Sequence, residues 1–122
     1  MEKQLTIYNQ YNIGHLCTRL QRERGRGNKV AMRWIQPAKE IKEFTFADLD
    51  AQSGRFANVL QRLGFSKGDV FFTFLHKMRV QFIAILGALK MQLVTGALFP
   101  GTVVTHVAAA VGGLPWRSMV RP

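Results

Sequence analysis

The side chains best suited to chemistry are few and scattered along the chain. The three histidines, His15, His76 and His106, lack the short spacing that protein metal ligands show. Cys17 is the single cysteine, and its apolar neighbours predict an inert buried thiol rather than a nucleophile. No phosphate-binding loop, dinucleotide fingerprint or nucleophile elbow occurs. The residues alone therefore predict neither a catalytic nor a metal site.

Three aspartates lie in the middle of the chain, two of them close together and the third further on. Asp48 follows Thr45 at the spacing of a helix capping box, and Asp69 ends a turn. We interpret both of these, and Asp50 with them, as capping and turn residues rather than as a general acid and base.

The charge of the chain is strongly basic. Of 122 residues, 17 are basic and 7 acidic, which gives a net charge of +10, while 48% are hydrophobic, as in a globular protein. The densest basic stretch is Arg19–Lys29. One hypothesis is a small nucleic-acid-binding protein that uses this stretch, but no aromatic residue lies between Tyr11 and Trp34 for base stacking. The other is a basic helix end closed by Gly25.

The first half of the chain predicts a helix and a hairpin. Asn12 is placed to cap the helix, and strand formers at Val30–Ile35 and Lys42–Phe46 indicate a hairpin on a sheet edge. The expected apolar face of the helix comprises Ile13, Leu16, Cys17 and Leu20.

The second half predicts a capped helix followed by a βαβ unit. The helix begins at the Thr45–Asp48 capping box and ends at Gly64, with Leu49, Phe56, Leu60 and Leu63 near one face. The unit itself comprises a strand at Val70–Leu75, expected to be covered on both faces, a helix at Val80–Met91 and a strand at Leu93–Phe99.

Two features argue against a membrane or secreted protein. Lys90 falls near the centre of the apolar run Val80–Phe99, where a charge opposes insertion. Met1–Gln10 has no apolar run of the signal-peptide kind. We therefore expect no membrane span and a cytoplasmic location.

Five blocks of the chain together form a specific pattern: FTFADLDAQS (44–53), RFANVL (55–60), LGFSKGDV (63–70), FIAILGALKM (82–91) and GALFPG (96–101). This pattern resembles the N-terminal region of AMP-forming acyl-CoA synthetases, and the acetyl-CoA synthetase-like members most closely. The resemblance implies an α/β fold, namely a partial N-terminal subdomain of an adenylate-forming ligase with an edge hairpin and a βαβ unit.

The resemblance also implies a reaction. Enzymes of this class activate a carboxylate with ATP and magnesium to an acyl-adenylate, and coenzyme A then displaces AMP to give the thioester. Their phosphate loop, adenine- and ribose-holding motifs and C-terminal lysine are missing here. We therefore expect this chain to be inactive alone and to bind no cofactor itself. Phe99, Pro100 and Gly101 are the only residues that the resemblance brings near coenzyme A.

The resemblance divides the chain into three parts. Residues 1–43 hold the N-terminal helix and first strands, 44–101 a partial AMP-binding domain, and 102–122 a divergent tail that we expect to come from a shifted reading frame. Two loop prolines usual in the family are replaced by His76 and Arg79. A further hypothesis is a split enzyme, in which a second synthetase chain supplies the missing parts.

Overall fold

Helices and short strands alternate along residues 11–76 and 78–98, which are the residues that this computed structural model describes. The predicted order of helix, hairpin, helix and βαβ unit is confirmed, and with it the α/β class. The elements are α1 (Ile13–Cys17), α2 (Arg19–Gln21), a π-helical turn (Arg22–Arg26), β1 (Val30–Ile35), β2 (Ile41–Thr45), α3 (Phe46–Arg62), β3 (Val70–Phe74), α4 (Arg79–Lys90) and β4 (Val94–Leu98).

The hairpin forms a sheet of its own. Strands β1 and β2 pair antiparallel, and the directly opposed Arg33 and Glu43 form an ion pair of 2.7 Å. Among the described residues, β1 and β2 pair only with each other, so the expected position at the edge of a larger sheet is not seen there. The hairpin contributes Phe44 to the buried apolar residues.

The capping box predicted for α3 is confirmed. The hydroxyl Oγ1 of Thr45 accepts a bond from the backbone N–H of Asp48 (3.1 Å), while the Thr45 backbone N–H donates to Asp48 Oδ2 (2.9 Å). The bond from the Thr45 backbone, followed by the one from its hydroxyl, lowers the pKa of Asp48. After the helix, Gly64 has φ +88°, the left-handed conformation expected of a glycine cap.

The βαβ unit is also confirmed. Strands β3 and β4 pair in parallel, and α4 connects them. The core packed beneath them is small, with Leu60, Ala88 and Leu93 buried and Phe71 lying edge-on to Phe56 at 5.8 Å between ring centroids. No helix within 11–76 and 78–98 is long and apolar enough to cross a membrane.

The N-terminal helices bury a face that the sequence did not predict. Ile13 is 58% exposed and Cys17 is exposed, whereas Asn12, Gly14 and Thr18 are buried. The reason is a close approach to α4, because a Cβ added at Gly14 would lie 2.6 Å from the backbone oxygen of Leu86. Only a residue without a side chain fits there, so helical periodicity of apolar residues pointed to the wrong face.

Asp50 is a buried carboxylate rather than the capping or turn residue that we expected. It is 8% exposed, and its Oδ1 lies 2.7 Å from Lys90 Nζ while Oδ2 lies 3.1 Å from Arg22 Nη1. Lys90 Nζ also donates to the backbone oxygen of Asp50 at 3.1 Å. One carboxylate on α3 thus joins the C-terminus of α4 to the π-helical turn, and the two cations compensate for its burial.

The βαβ unit leaves large apolar side chains exposed. Phe74, Phe82 and Val94 are each more than half exposed, and on β3 only Thr73 is buried. Within the described ranges β3 and β4 each have one strand neighbour, so their outer edges are unpaired. The expected cover on both faces of β3 is therefore not present in this part of the chain.

Helix α4 begins without a side-chain cap. Met78 precedes it in an extended conformation (φ −133°, ψ 150°) and makes no capping bond. The first residue of the helix is Arg79, one of the two positions at which the resemblance leads us to expect proline, and its guanidinium carbon lies 5.6 Å from the ring centroid of Phe44. Arg79 thus makes a cation–π contact from the first position of a helix, which is a position that also suits proline.

We expect Asp50→Asn to lower the free energy of unfolding by about 3 kcal/mol, because it leaves Lys90 as a nearly buried charge without its counterion. Arg22→Gln, which removes a half-exposed partner of the same carboxylate, should cost about 1 kcal/mol or less. Urea unfolding followed by circular dichroism on dilute protein measures both values. Equal losses for the two variants would contradict the assigned role of Asp50. The double variant Asp50→Asn/Lys90→Met should recover part of the loss.

A second prediction concerns the start of α4. Arg79→Pro should be more stable than Arg79→Ala by about 0.5 kcal/mol, because both lose the contact with Phe44 and only proline restricts the unfolded chain. The extended Met78 accepts a following proline without strain. The same urea titration compares the two variants. A less stable Arg79→Pro would mean that the backbone at residue 79 does not have the geometry of a first helical residue.

Candidate functional site

A polar cleft lies between the N-terminal helices and α3. Its volume is about 490 Å³, and basic and amide side chains dominate its walls. The lining residues are Asn12, His15, Arg19, Arg22, Asp50, Ala51, Gly54, Arg55, Ala57, Asn58 and Lys90.

Asn12 fixes the geometry at one end of this cleft. Its Oδ1 accepts a bond from the backbone N–H of His15 (3.1 Å) and so caps α1, as the sequence predicted. Its Nδ2 donates to the backbone oxygens of Leu89 (2.8 Å) and Lys90 (3.4 Å). One amide therefore satisfies unpaired backbone groups at the start of α1 and at the end of α4.

The cationic side chains of the cleft differ in whether a carboxylate neutralises their charge. Arg22 and Lys90 share Asp50, and Arg19 forms an exposed pair with Glu23 at 2.9 Å. Arg55 on α3 forms no ion pair with any other described residue. The cleft consequently has more positive than negative charge.

The basic stretch Arg19–Lys29 is held largely by contacts within the chain. Besides the ion pairs of Arg19 and Arg22, Arg26 Nη1 donates to Gln21 Oε1 at 3.1 Å. Gly25 has φ +77° and interrupts the helical conformation, in agreement with the predicted helix end. These contacts do not test the nucleic-acid hypothesis, which stays a prediction.

The residues predicted to lie near coenzyme A, namely Phe99, Pro100 and Gly101, fall outside the described residues, as does His106. Strand β4 ends at Leu98, directly before them.

The other side chains considered for chemistry do not form a common site in the described residues. His15 lines the cleft, and His76 is exposed after β3. The prediction of a buried Cys17 is wrong, because its side chain lies on the exposed side of α1. Residues 11–76 and 78–98 contain no group of three His, Cys, Asp or Glu side chains suited to a metal.

Sequence reasoning missed the cleft, although one signal pointed to part of it. Lys90 follows eight residues without a polar side chain (82–89) in its helix, and a lysine in such a place needs a buried acidic partner. That partner is Asp50, but it lies forty positions from Lys90 in the sequence, and no short sequence pattern links the two residues.

The comparisons with known proteins concern nearly the whole described chain. The sequence model of the family described as "AMP-binding enzyme" matches residues 20–112. The chain is 37% identical over 75 residues to acetyl-coenzyme A synthetase of Bacillus subtilis, a match of 61% of this chain and 13% of that protein. It therefore spans a small part of the length of such relatives.

Solved structures share the fold. The acyl-CoA synthetase of Brucella canis superposes with a TM-score of 0.72 at 30% identity, over 83% of this chain and 18% of that one. The N-terminal subdomain of NpsA from Klebsiella oxytoca superposes with a TM-score of 0.66 at 20% identity, over 83% of this chain and 26% of that one, which shows likeness of fold alone. On the family match and the shared fold of the N-terminal subdomain, the chain belongs to the family of AMP-binding enzymes.

Proposed function

We propose that this chain is the N-terminal part of a cytoplasmic AMP-forming acyl-CoA ligase with a small, acetate-like substrate. The identity to acetyl-coenzyme A synthetase of Bacillus subtilis carries the proposal, and the superposition on the acyl-CoA synthetase of Brucella canis supports it. In this proposal the complete enzyme joins a carboxylate to AMP from ATP with release of pyrophosphate. The sulfur of coenzyme A then attacks the acyl carbon and AMP leaves.

We assign no magnesium ligand to the described residues. They offer no group of three acidic or histidine ligands, and the sequence has no phosphate loop. No step of the reaction is therefore assigned to a side chain of this part. Its role in the proposal is to complete the fold of the adenylate-forming domain, and by itself it is inactive.

The exposed apolar residues and unpaired strand edges of the βαβ unit support the proposal that further polypeptide covers it. A parallel sheet is normally buried on both faces, yet β3 and β4 have free outer edges within the described part and Phe74 and Phe82 are exposed. We propose that the remainder of an adenylate-forming domain, on a complementing chain, adds strands and covers these apolar residues. Coenzyme A and the carboxylate react only on the completed enzyme, with Phe99, Pro100 and Gly101 near coenzyme A.

Fragment complementation tests this proposal. The second fragment is the Bacillus subtilis acetyl-coenzyme A synthetase without the segment that this chain matches. Acetate-dependent exchange between pyrophosphate and ATP should be absent for either fragment alone and present for the mixture. Phe82→Asp should lower the restored rate about tenfold or more, since it buries a charge at the contact. Ile41→Asp, an equally charged change at an exposed residue of the separate hairpin, is the control.

Two results would contradict the proposal. Exchange activity of the chain alone would disprove that it is inactive. A mixture that neither exchanges nor co-purifies would disprove that it completes the fold of such a domain.

We further propose that the tail, residues 102–122, derives from a shifted reading frame. The family match ends at residue 112, so it includes the first half of the tail and not the second. Sequencing the gene across the Gly101 codon, with translation of all three frames, tests the proposal. We expect another frame to encode the glycine-rich phosphate loop and the later lysine motif. If no frame encodes them, the tail is the true continuation of the chain.

A further inference from the structure

The polar cleft holds an excess of cations that the fold itself does not neutralise. Four cationic side chains line it, against the carboxylate of Asp50 and the neighbouring Glu23. Arg55 has no acidic partner among the described residues, although the same helix α3 carries Asp48 and Asp50. An anion from solution would neutralise the remaining positive charge of the cleft.

Two of the cations are held in place before any ligand arrives. Asp50 fixes Lys90, whose side chain is only 14% exposed, and it also contacts the half-exposed Arg22. Arg19 and Glu23 form an exposed ion pair, and Arg55 has no acidic partner among the described residues. Because Lys90 and Arg22 already have a partner, a ligand loses less free energy in immobilising these two side chains.

The negative end of α4 does not oppose an anion here. Its last carbonyl groups carry partial negative charge, but Asn12 Nδ2 donates to the oxygens of Leu89 and Lys90. The amide of Asn58 adds a further possible donor to the wall of the cleft.

We propose that this cleft binds the pyrophosphate group of a phosphate-bearing small molecule, with Arg55 and Arg19 as its direct ligands. One guanidinium group can donate two parallel hydrogen bonds to the oxygens of a phosphate. Several cations around one cleft also favour a ligand group with several negative charges over a single carboxylate. A volume of about 490 Å³ is within the range of small-molecule sites.

The proposed site lies beside Lys90 and not beside Leu98, the last residue of β4. Lys90 precedes β4, whereas Leu98 ends it, and a strand of this length spans roughly 16 Å. The proposal does not depend on the ligase function, because the chain alone can bind pyrophosphate without catalysing any reaction.

Equilibrium dialysis with inorganic pyrophosphate tests the proposal on the 122-residue chain, at low salt and high dilution. We expect saturable binding of one pyrophosphate per chain. Arg55→Gln and Arg19→Gln should each weaken it about tenfold or more, since each removes charged hydrogen bonds. Arg62→Gln removes the same charge from the same helix but outside the cleft, and it should leave the affinity unchanged. Circular dichroism checks that the variants fold.

Parallel titrations with ATP and coenzyme A identify the source of the group. Binding of ATP as tight as that of pyrophosphate indicates a nucleotide polyphosphate, and tighter binding of coenzyme A indicates its diphosphate. Absence of saturable binding would overturn the proposal. Equal weakening by Arg62→Gln would overturn it too, because binding would then reflect only the net charge of the chain.

Discussion

The described part of this chain depends on the buried carboxylate of Asp50. Two cations from different elements meet it, Lys90 at the end of α4 and Arg22 in the π-helical turn. A buried charge is stable only where its partners are in position, so the carboxylate sets the relative placement of three segments that are far apart in sequence. It does so where apolar packing is sparse, since the buried apolar core is small.

Close backbone contact makes this arrangement possible. Helix α1 approaches α4 at Gly14, and α3 approaches α4 at Gly87, where an added Cβ would lie 2.8 Å from the backbone oxygen of Ser53. At these two points of close approach, glycine takes the place that a large apolar side chain has in most helix interfaces. Several large apolar residues are exposed on the βαβ unit, among them Phe74 and Phe82. This distribution suits a piece of a larger domain, in keeping with the small share of its relatives that the chain spans.

Local signals in the sequence were sufficient for the elements and insufficient for their contacts. The Thr45–Asp48 capping box, the hairpin and the βαβ order were predicted because each depends on residues a few positions apart. The pairing of Asp50 with Lys90 joins residues forty positions apart, and the buried face of α1 depends on how near α4 comes. No periodicity within one helix contains that information. The cleft follows from these long-range contacts, so it could not be predicted either.

The double role of Asn12 has a consequence for the order in which the chain can fold. Its amide holds the first helix to carbonyl groups 77 and 78 positions later, so this contact cannot form until α4 has been synthesised to its end. The hairpin and the capped helix between them rest on local bonds and can form earlier. Of the described segments, the helix that is synthesised before the hairpin and α3 is therefore among the last to reach its final place.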